Sequence, residues 1–416
     1  MSQQITPPPT DIDRRSVLKT GAALGVFSVS GCIGDLGEDD PTGEDPTSDD
    51  EGPTPDGENG ESVDAVIEEV ATGLANPWAM AFIPDSSSML VTELGGTLNL
   101  VDREEGSVEE IDGTPEVYAE GQGGLLDVAL HPEFPDESWV YLTYSVVNDD
   151  GESATAIGRG QLEDTQLTAF EELFVAEPFI DSNGHFGSRA LFDEGALYMT
   201  TGDRQQKDFG PDHVAQDTTN ELGATLRLAP DGSIPEDNPF VDDPDVADAI
   251  YSYGHRNVQA MTVHPETGEI WQGEHGEEDG DEINIVEEGE NFGWPIATYG
   301  CEYGTDTPVG DQPDEREETV APVYYWECGS GGFPPSGMTF YDGEAFPDWQ
   351  GDLFMGNLAG GYLGRFSVDG REVEEIDPLL SDQGWRVRDV KVAPDTGHLY
   401  VVVDEGDAPL VRLVPE

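Results

Sequence analysis

The chain has 416 residues, of which 89 are Asp or Glu and only 17 are Lys or Arg, so its formal net charge at pH 7 is −72. This charge excludes nucleic acid as a partner and argues against electrostatic adsorption to anionic lipid. The length suits two or three average domains or one large all-β domain. Acidic residues along the whole chain are typical of adaptation to high salt, where screening relieves self-repulsion. A hydrophobic fraction of 36% argues against a disordered protein beyond the N-terminal segment.

The N-terminal residues 1–32 have the pattern of an export signal. The sequence RRSVLK, starting at Arg14, is a twin-arginine motif and precedes an apolar run over 21–31 that is too short to span a bilayer. The run ends in SGC, which is similar to a lipobox whose Cys32 is lipidated after cleavage. Residues 33–62 predict a disordered, solvated acidic linker. We therefore expect an extracellular protein, exported by the twin-arginine route and held on the outer face of the cell membrane by lipid.

One hairpin pattern recurs six times between residues 63 and 416. Each copy has an apolar stretch, a turn containing Pro, Asp or Gly, and a second strand of β-branched and aromatic residues. The copies lie at 79–93, 127–144, 189–203, 260–274, 337–357 and 389–405. Such repetition predicts an all-β, six-bladed β-propeller over 63–416, because each blade buries its faces against its neighbours. A β-sandwich is the alternative, but it does not explain six similar hairpins. We expect 205–222 and 236–249 to be loops with at most a helical turn.

Polar residues flank these hairpins at positions where the loops of one channel end would build a binding site. They are Gln122, His185, Asp203, Arg256, Asn257, Arg386 and Arg388. Arg386 and Arg388 alternate with Val387, so on a strand both guanidinium groups lie on one face and suit a bidentate grip on carboxylates. Because positive charge is scarce in this chain, its concentration here indicates a site for an anion.

Arg256 is followed by a strand–turn–strand and then by an acidic, Gly-rich loop over 274–282. Oxygen ligands and flexible backbone suit a hard cation such as Ca²⁺, which Gly276 and Glu277 would bind through their backbone carbonyls. Glu282 is a candidate ligand of a second, structural calcium, with a solvated side chain as the alternative. For Arg256 the alternative is an ion pair with a nearby carboxylate, in which case the loop is ordinary solvated surface.

His185 lies in a Gly-rich turn, GHFGSR, where it is either merely exposed or catalytic. Asp203 follows a strand of the next hairpin and is placed to orient His185, which is the relation that a general base needs. We interpret Arg189 as a structural residue that ties a blade to its neighbour. His255 is either a hydrogen bonder between blades or a site residue.

Two cysteines, Cys301 and Cys328, lie beyond the signal region. In an oxidising compartment they predict a disulfide that closes one loop, with two free buried thiols as the alternative. Two lone cysteines without neighbouring histidines do not indicate a metal site.

Five motifs together carry a resemblance to a known family. They are GLANPWAMAFIPD, GQGGLLDVALHPEF, HFGSRALFDEGALYMTTGD, YGHRNVQAMTVHPETGEIWQGEHG and RVRDV. In this order, and over essentially all of 66–416, the chain resembles the glucose/sorbosone dehydrogenase family, the soluble pyrroloquinoline quinone (PQQ)-dependent aldose sugar dehydrogenases. The segment from Asn220 to Phe240 also has a counterpart there. The resemblance implies a six-bladed propeller, in agreement with the hairpin count.

The resemblance implies catalytic roles for three residues. His185 matches the general base that takes the proton from the anomeric hydroxyl as hydride leaves C1 of the sugar for C5 of the quinone. Asp203 matches the acid that orients this histidine. Arg256 matches the arginine over the quinone oxygens, where negative charge grows during hydride transfer.

The resemblance also implies which residues bind the cofactor. Gln122 and Asn257 match residues that contact PQQ or shape its pocket. Arg386 and Arg388 match the pair that holds the PQQ carboxylates.

Gly276 and Glu277 match two backbone carbonyls that bind the calcium ion polarising the quinone carbonyl. The chain departs from the family here, because Glu277 stands where Pro is usual. Ala359 stands where a Lys is frequent, so one cofactor cation is missing. Both departures bear on cofactor affinity and not on the fold.

The leading functional interpretation is a PQQ- and calcium-dependent dehydrogenase that oxidises aldose sugars at C1 to lactones and passes electrons to an external acceptor. The alternative is a lipid-anchored propeller that binds a sugar or a protein without redox chemistry. A metal-dependent lactone hydrolase is a third option, for which the sequence shows no clustered Glu/Asn ligand set.

Overall fold

The computed structural model of the protein describes residues 65–416. Within this range the chain forms 24 β-strands and three short 3-10 helices. The strands assemble into six four-stranded antiparallel sheets, which confirms the predicted six-bladed β-propeller and excludes the β-sandwich. The predicted export signal over 1–32 and the linker over 33–62 lie outside the described residues. Across the described part of the chain, no helix is long and apolar enough to cross a membrane.

The strands are numbered in chain order. Strand β1 spans Ala65–Leu74. Blade 1 consists of β2 (Pro77–Phe82), β3 (Ser88–Glu93), β4 (Leu98–Asp102) and β5 (Val108–Ile111); blade 2 of β6 (Leu125–Leu130), β7 (Trp139–Val147), β8 (Ser153–Glu163) and β9 (Gln166–Val175); blade 3 of β10 (Ala190–Asp193), β11 (Ala196–Thr200), β12 (Ala224–Leu228) and β13 (Ile250–Tyr253). Blade 4 consists of β14 (Val258–Val263), β15 (Ile270–Glu274), β16 (Glu282–Ile285) and β17 (Tyr324–Tyr325); blade 5 of β18 (Pro335–Phe340), β19 (Leu353–Asn357), β20 (Tyr362–Asp369) and β21 (Glu372–Leu379); blade 6 of β22 (Val387–Val392), β23 (Leu399–Val403), β24 (Ala408–Pro415) and β1. The 3-10 helices are Val214–Gln216, Pro313–Glu315 and Pro347–Trp349.

The six predicted hairpins are the first two strands of the six blades. The hairpin at 79–93 corresponds to β2 and β3, and the one at 389–405 corresponds to β22 and β23. The 205–222 connection contains only the helical turn Val214–Gln216, and the 236–249 connection contains neither helix nor strand. Both loop predictions are therefore confirmed.

Strand β1 closes the propeller as the outermost strand of blade 6. It pairs antiparallel with β24, with Ala65 opposite Pro415 and Leu74 opposite Ala408. Hydrogen bonds between the two ends of the described chain thus complete the ring of blades. The other five blades are each built from one continuous segment.

Apolar side chains pack between neighbouring blades and form the core. Between blades 6 and 1, Met80 and Val91 pack with Tyr400 and Leu410, and all four are buried. Burying a side chain of this kind contributes about 1.5–3 kcal/mol. Because each blade shares its faces with two neighbours, the positions of the loops at the channel end depend on the whole ring.

A buried ion cluster crosses the channel. The Arg189 side chain is 2% exposed, and its guanidinium lies 3.5 Å from an Asp127 oxygen and 3.4 Å from an Asp389 oxygen. It also donates to the Gln259 carbonyl at 2.6 Å and lies 4.2 Å from the ring centroid of Trp78. These five residues come from five different blades. The structure therefore confirms the structural interpretation of Arg189.

The carboxylates of this cluster are tightly enclosed. Asp389 accepts a hydrogen bond from the Met80 backbone N–H at 3.0 Å, and a Cβ on Gly337 would lie 1.7 Å from its Oδ1. Burial raises the pKa of Asp127, and the Arg189 guanidinium opposes that rise. Removing the cation would leave buried carboxylates without compensation, which is strongly destabilising.

Cys301 and Cys328 form a disulfide whose Cα atoms are 5.6 Å apart, as predicted. The bond ties the loop between β16 and β17 to the loop after β17. A backbone bridge between Glu278 and Cys301 joins the same loop to the acidic segment after β15. The disulfide therefore fixes one wall of the channel mouth.

Replacing Arg189 tests the ion cluster. We expect Arg189→Met to lower the free energy of unfolding by about 3–5 kcal/mol, because Asp127 and Asp389 then remain buried without their cation. The measurement is urea unfolding at constant high salt. Arg371→Met is the matched control, since its 2.9 Å ion pair with Glu287 is exposed and should contribute less than about 1 kcal/mol. Equal losses in the two variants would contradict the role of the cluster.

Candidate active site

Two adjoining cavities open at one end of the channel. The histidine cavity, of about 240 Å³, is lined by His185, Arg256, Gly276, Glu277 and Tyr303, among others. The arginine cavity, of about 480 Å³, is lined by Trp78, Arg386, Arg388 and Asp404, among others. The two share the wall residues Gln122, Asn257, His275, Pro334 and Ala359. Of the predicted site residues, Asp203 and Glu282 line neither cavity, whereas the other eight line at least one of them.

His185 lies in a turn with an unusual backbone. Its φ is +49°, and Ser188 has a φ of +84°, a left-handed conformation that non-glycine residues seldom adopt. The turn packs directly against Gly202. A Cβ at that position would lie 2.1 Å from the His185 carbonyl oxygen, so no larger residue fits there without a shift. Backbone strain of this kind costs on the order of 1–3 kcal/mol and persists only when the surroundings hold it.

Side chains from neighbouring blades hold this turn. The Gln122 side-chain oxygen accepts a hydrogen bond from the His185 backbone N–H at 2.8 Å, and Asn257 accepts one from Gly187 N–H at 3.1 Å. The Thr155 hydroxyl donates to the carbonyl of the intervening Phe186 at 2.7 Å. Gln122 and Asn257, which the resemblance assigns to the cofactor, therefore also position the histidine.

His185 and Asp203 form a hydrogen-bonded pair. The distance from His185 Nδ1 to Asp203 Oδ1 is 2.6 Å, and both side chains are buried. The carboxylate can only accept, so Nδ1 carries the proton and Nε2 keeps its lone pair. Asp203 is fixed in turn by the Trp294 indole N–H, which donates to Oδ2 at 2.8 Å, and by the Gln205 backbone N–H at 2.9 Å. The sequence-based prediction that Asp203 orients His185 agrees with this geometry.

The charges around this pair favour a neutral imidazole and an ionised carboxylate. Burial lowers the pKa of His185, and the nearby Arg256 lowers it further, outweighing the hydrogen bond to Asp203. Burial opposes ionisation of Asp203, but the His185 hydrogen bond and the charge of Arg256 outweigh it and hold its pKa below the usual value. His185 is therefore unprotonated at neutral pH, as a base must be.

Arg256 is buried in the wall of the histidine cavity and makes an ion pair. One of its guanidinium nitrogens lies 2.7 Å from Glu277 Oε2, and another donates to the His275 carbonyl at 3.2 Å. The guanidinium carbon lies 5.2 Å from the ring centroid of Trp294. The ion pair that the sequence left open as the alternative is thus present, with the carboxylate supplied by the residue that departs from the family pattern.

Gly276 and Glu277 line the histidine cavity and are the predicted calcium ligands. Among residues 65–416, no donor makes a hydrogen bond to the carbonyl oxygen of Gly276 or of Glu277. The Asp281 carboxylate holds the loop after β15 by accepting hydrogen bonds from the Gly276 N–H at 2.9 Å and the Phe333 N–H at 2.7 Å. No cluster of three or more His, Cys, Asp or Glu side chains suited to a metal occurs in this range. A cation here would depend on backbone oxygens and on a ligand, which suits calcium.

Glu282 does not line the histidine cavity, although it lines a smaller cavity together with Gly276. It is buried opposite Glu274, its partner across β15 and β16. Burial and the charge of Glu274 raise the pKa of Glu282 well above its usual value. His255 contacts Glu274 at 3.0 Å and Ser252 of blade 3 at 2.9 Å, so it is a hydrogen bonder between blades. The role of Glu282 as a ligand of a second calcium stays a prediction.

Arg386 and Arg388 lie on one side of the arginine cavity, as their alternation predicts. Both guanidinium groups contact Oδ2 of Asp404, and Arg388 also donates to the Gln259 side chain at 3.1 Å. Two cations sharing one carboxylate leave a net positive charge facing the cavity. Ala359 lines both cavities without adding charge.

Sequence reasoning missed several residues of the site. They are Lys207, His275, Trp294, Tyr303 and Asp404. Burial lowers the pKa of His275 well below its usual value, and its Nε2 has no partner among residues 65–416. His275 stands between Glu274 and Gly276 in the predicted site loop, so its position was a usable signal. Trp294 acts on Asp203, which follows a strand of another blade, and Asp404 acts on Arg386 and Arg388 across the β22–β23 hairpin.

Comparison with known proteins is consistent with this geometry. The Glucose / Sorbosone dehydrogenase family matches residues 74–412. Aldose sugar dehydrogenase YliI of Escherichia coli (strain K12) is 40% identical over 356 residues, covering 84% of this chain and 92% of that protein. The crystal structure of the soluble aldose sugar dehydrogenase from Escherichia coli in the apo-form has a TM-score of 0.79 and 40% identity, covering 85% of this chain and 100% of that one.

A PQQ-bound aldose sugar dehydrogenase from Streptomyces coelicolor is 28% identical, with a TM-score of 0.68, over 85% of this chain and 99% of that one. The family match spans nearly the whole described propeller, and the sequence identity to a relative reaches 40%. The chain belongs to the glucose/sorbosone dehydrogenase family.

Proposed function

We propose that the protein is a PQQ- and calcium-dependent dehydrogenase that oxidises aldose sugars at C1 to lactones and passes the electrons to an external acceptor. The observation that carries the proposal is the buried His185–Asp203 pair, whose histidine lines a cavity that Arg256 also lines. Relatives described as aldose sugar dehydrogenases, one of them solved in a PQQ-bound form, support it.

His185 serves as the general base in this proposal. Its Nε2 accepts the proton of the anomeric hydroxyl as the C1–H bond breaks. Asp203 stabilises the imidazolium that forms, and Trp294 keeps the carboxylate in place. Because the pair is buried, water does not weaken these interactions.

The arginine cavity fits an anionic cofactor. Arg386 and Arg388 would hold the carboxylates of PQQ, and Gln122 and Asn257 would border it, since they line both cavities. The donors match the charge of a tricarboxylate. When bound, PQQ supplies the two-electron acceptor for the sugar.

The free carbonyls of Gly276 and Glu277 fit Ca²⁺ bound against that cofactor. Arg256 provides positive charge for anionic oxygens in the histidine cavity. We also propose a second, structural calcium beside Glu282 and Glu274, because two adjacent buried carboxylates need a cation or a proton to compensate their charge.

We further propose that the protein is exported by the twin-arginine route and anchored outside the cell through a lipid on Cys32, and that it is adapted to high salt. The sequence motifs before residue 33 support the route. The Cys301–Cys328 disulfide supports an oxidising compartment.

A second candidate function is a lipid-anchored propeller that binds a sugar or a protein without redox chemistry. Two observations favour it. Ala359 adds no cation to the cavities, and Glu277 neutralises Arg256. Both features weaken the attraction for an anionic cofactor.

Dye reduction separates the two candidates. Purified protein in high salt is given glucose or another aldose and an artificial electron acceptor, before and after addition of PQQ and Ca²⁺. A dehydrogenase reduces the dye only when both are present. A protein that stays inactive with every sugar, at saturating PQQ and Ca²⁺, is the non-redox binding module.

Replacing His185 tests its assignment as the general base. We expect His185→Ala to lower kcat by about 10²–10⁴-fold, as for a lost general base, with the fold intact by circular dichroism. His398→Ala is the control, because His398 lies on the β22–β23 turn at the opposite end of the blade. Unchanged turnover in His185→Ala would overturn the assignment of the base.

The pH dependence follows from the lowered pKa of His185. Since the base is active when unprotonated, kcat/KM should be full at pH 7 and fall only as the pH drops below about 6.5, the unperturbed value. Asp203→Asn removes a group that raises the pKa of His185, so the acid limb should move to still lower pH. An acid limb above pH 6.5, or one that Asp203→Asn leaves in place, would contradict the proposal.

Two substitutions should change PQQ affinity in opposite directions. Arg388→Ala should weaken PQQ binding by at least about tenfold, because it removes a buried cation from the cofactor cavity. Glu277→Gln should tighten it, because the carboxylate that neutralises Arg256 is lost while the backbone carbonyl remains. The measurement is PQQ titration by calorimetry at fixed Ca²⁺.

The KM for the sugar, measured at saturating PQQ, is the control for these two substitutions. It should change little in Arg388→Ala. Superimposable PQQ titration curves for Arg388→Ala and the parent would refute the role of the arginine cavity.

A further inference from the structure

Tyr303 is exposed where an aromatic side chain is normally covered. It is 65% exposed and is the only aromatic among the exposed large hydrophobic side chains of residues 65–416. It follows Cys301 in the loop between β16 and β17 and lines the histidine cavity together with His185 and Arg256. An exposed ring at the mouth of a catalytic cavity is available to a ligand.

Charged residues of the histidine cavity act on the Tyr303 phenol. The covered part of the otherwise exposed side chain raises the pKa of its phenol, the charge of Arg256 opposes the rise, and Glu277 and Asp281 add to it. These three groups all line the histidine cavity. Tyr303 thus lines the cavity together with these charged groups, while most of its surface faces solvent.

The Lys207 ammonium group lies close to the Tyr303 ring. Its Nζ lies 5.2 Å from the Tyr303 ring centroid and 5.6 Å from that of Phe209, and it contacts the Glu277 carboxylate. The Lys207 side chain is about half exposed. A donor and an acceptor, Lys207 and Glu277, therefore stand beside the exposed ring.

This rim is held in place on both sides. Phe209 packs edge-on against Trp294 at 5.5 Å, and Trp294 donates to Asp203. On the other side, the Cys301–Cys328 disulfide lies two residues before Tyr303. The rim is thus fixed relative to the His185–Asp203 pair, which a contact that aligns a substrate requires.

We propose that Tyr303 and Lys207 form the sugar-recognition rim of the site, in which the Tyr303 ring packs on the C–H face of the aldose and Lys207 donates to one of its hydroxyls. This inference rests on the proposed function. Sugars present both an apolar C–H face and hydroxyl groups, so an aromatic face beside a few fixed polar groups is a complementary surface.

The size of the surface favours a small ligand over a protein. The other exposed large hydrophobic residues of the described range are Val66, Val108 and Val147, which lie on β1, β5 and β7. They are not among the residues lining either cavity. A single ring is far smaller than the apolar patch that a protein interface needs.

The test compares Tyr303→Ala, Tyr303→Phe and Lys207→Met in dye reduction with PQQ and Ca²⁺ present, using D-glucose and D-xylose. Loss of the ring should raise KM by about tenfold with kcat within about twofold of the parent. Tyr303→Phe keeps the ring and should stay within about threefold of the parent KM, and Lys207→Met should raise KM several-fold. Val147→Ala and Lys391→Met are the matched controls, because neither residue lines either cavity, and they should not change KM.

Calorimetric binding of D-glucose to the PQQ-free protein gives a readout independent of turnover. The parent should bind, and Tyr303→Ala should bind about tenfold more weakly. An unchanged KM in Tyr303→Ala for both sugars, or a loss confined to kcat, overturns the inference while leaving the dehydrogenase function standing.

If the parent reduces no dye, the proposed function fails. The calorimetric measurement of glucose binding still tests whether Tyr303 and Lys207 recognise the sugar. Weaker glucose binding by Tyr303→Ala then supports it. Equal binding, or no binding by the parent, overturns it.

Discussion

The buried guanidinium of Arg189 is the contact on which the rest of the structure depends. It lies between Asp127 and Asp389 at the centre of the channel, in a protein whose net charge of −72 otherwise favours separation of its parts. The same group donates to the carbonyls of Gln259 and Arg388. Both of these residues line the arginine cavity, so the ion cluster that joins the blades also supports the floor of the cofactor cavity.

Above this cluster, the site is built from contacts between blades. The strained turn at His185 is held by Gln122 and Asn257, and the imidazole is held by Asp203. Each of these groups belongs to a loop at the end of a different strand, so the catalytic geometry requires blades 2, 3 and 4 to be in register. Arg256, Arg386 and Arg388 line the two cavities at this end of the channel. Glu277 modifies this pattern by neutralising Arg256.

The features that the sequence predicted are local or compositional. The hairpins follow from neighbouring residues, and His185 and Asp203 flank one hairpin, so both could be found. The pairing of β1 with β24 joins the two ends of the described chain, and no local pattern marks it. Trp294 acts on Asp203, 91 residues away in another blade, and this distance along the chain hid it. For Arg256 the sequence left both interpretations open, since the orientation of Glu277 depends on the fold.

The central claim is that Arg256, Arg386 and Arg388, which line the cavities at one end of the channel, bind an anionic quinone. A crystal structure of the protein grown with PQQ and CaCl₂ in high salt tests it most directly. The account predicts the quinone between Arg386, Arg388 and His185, with a calcium ion on the carbonyls of Gly276 and Glu277. Quinone density at the opposite mouth of the channel, or out of contact with these arginines, would contradict it.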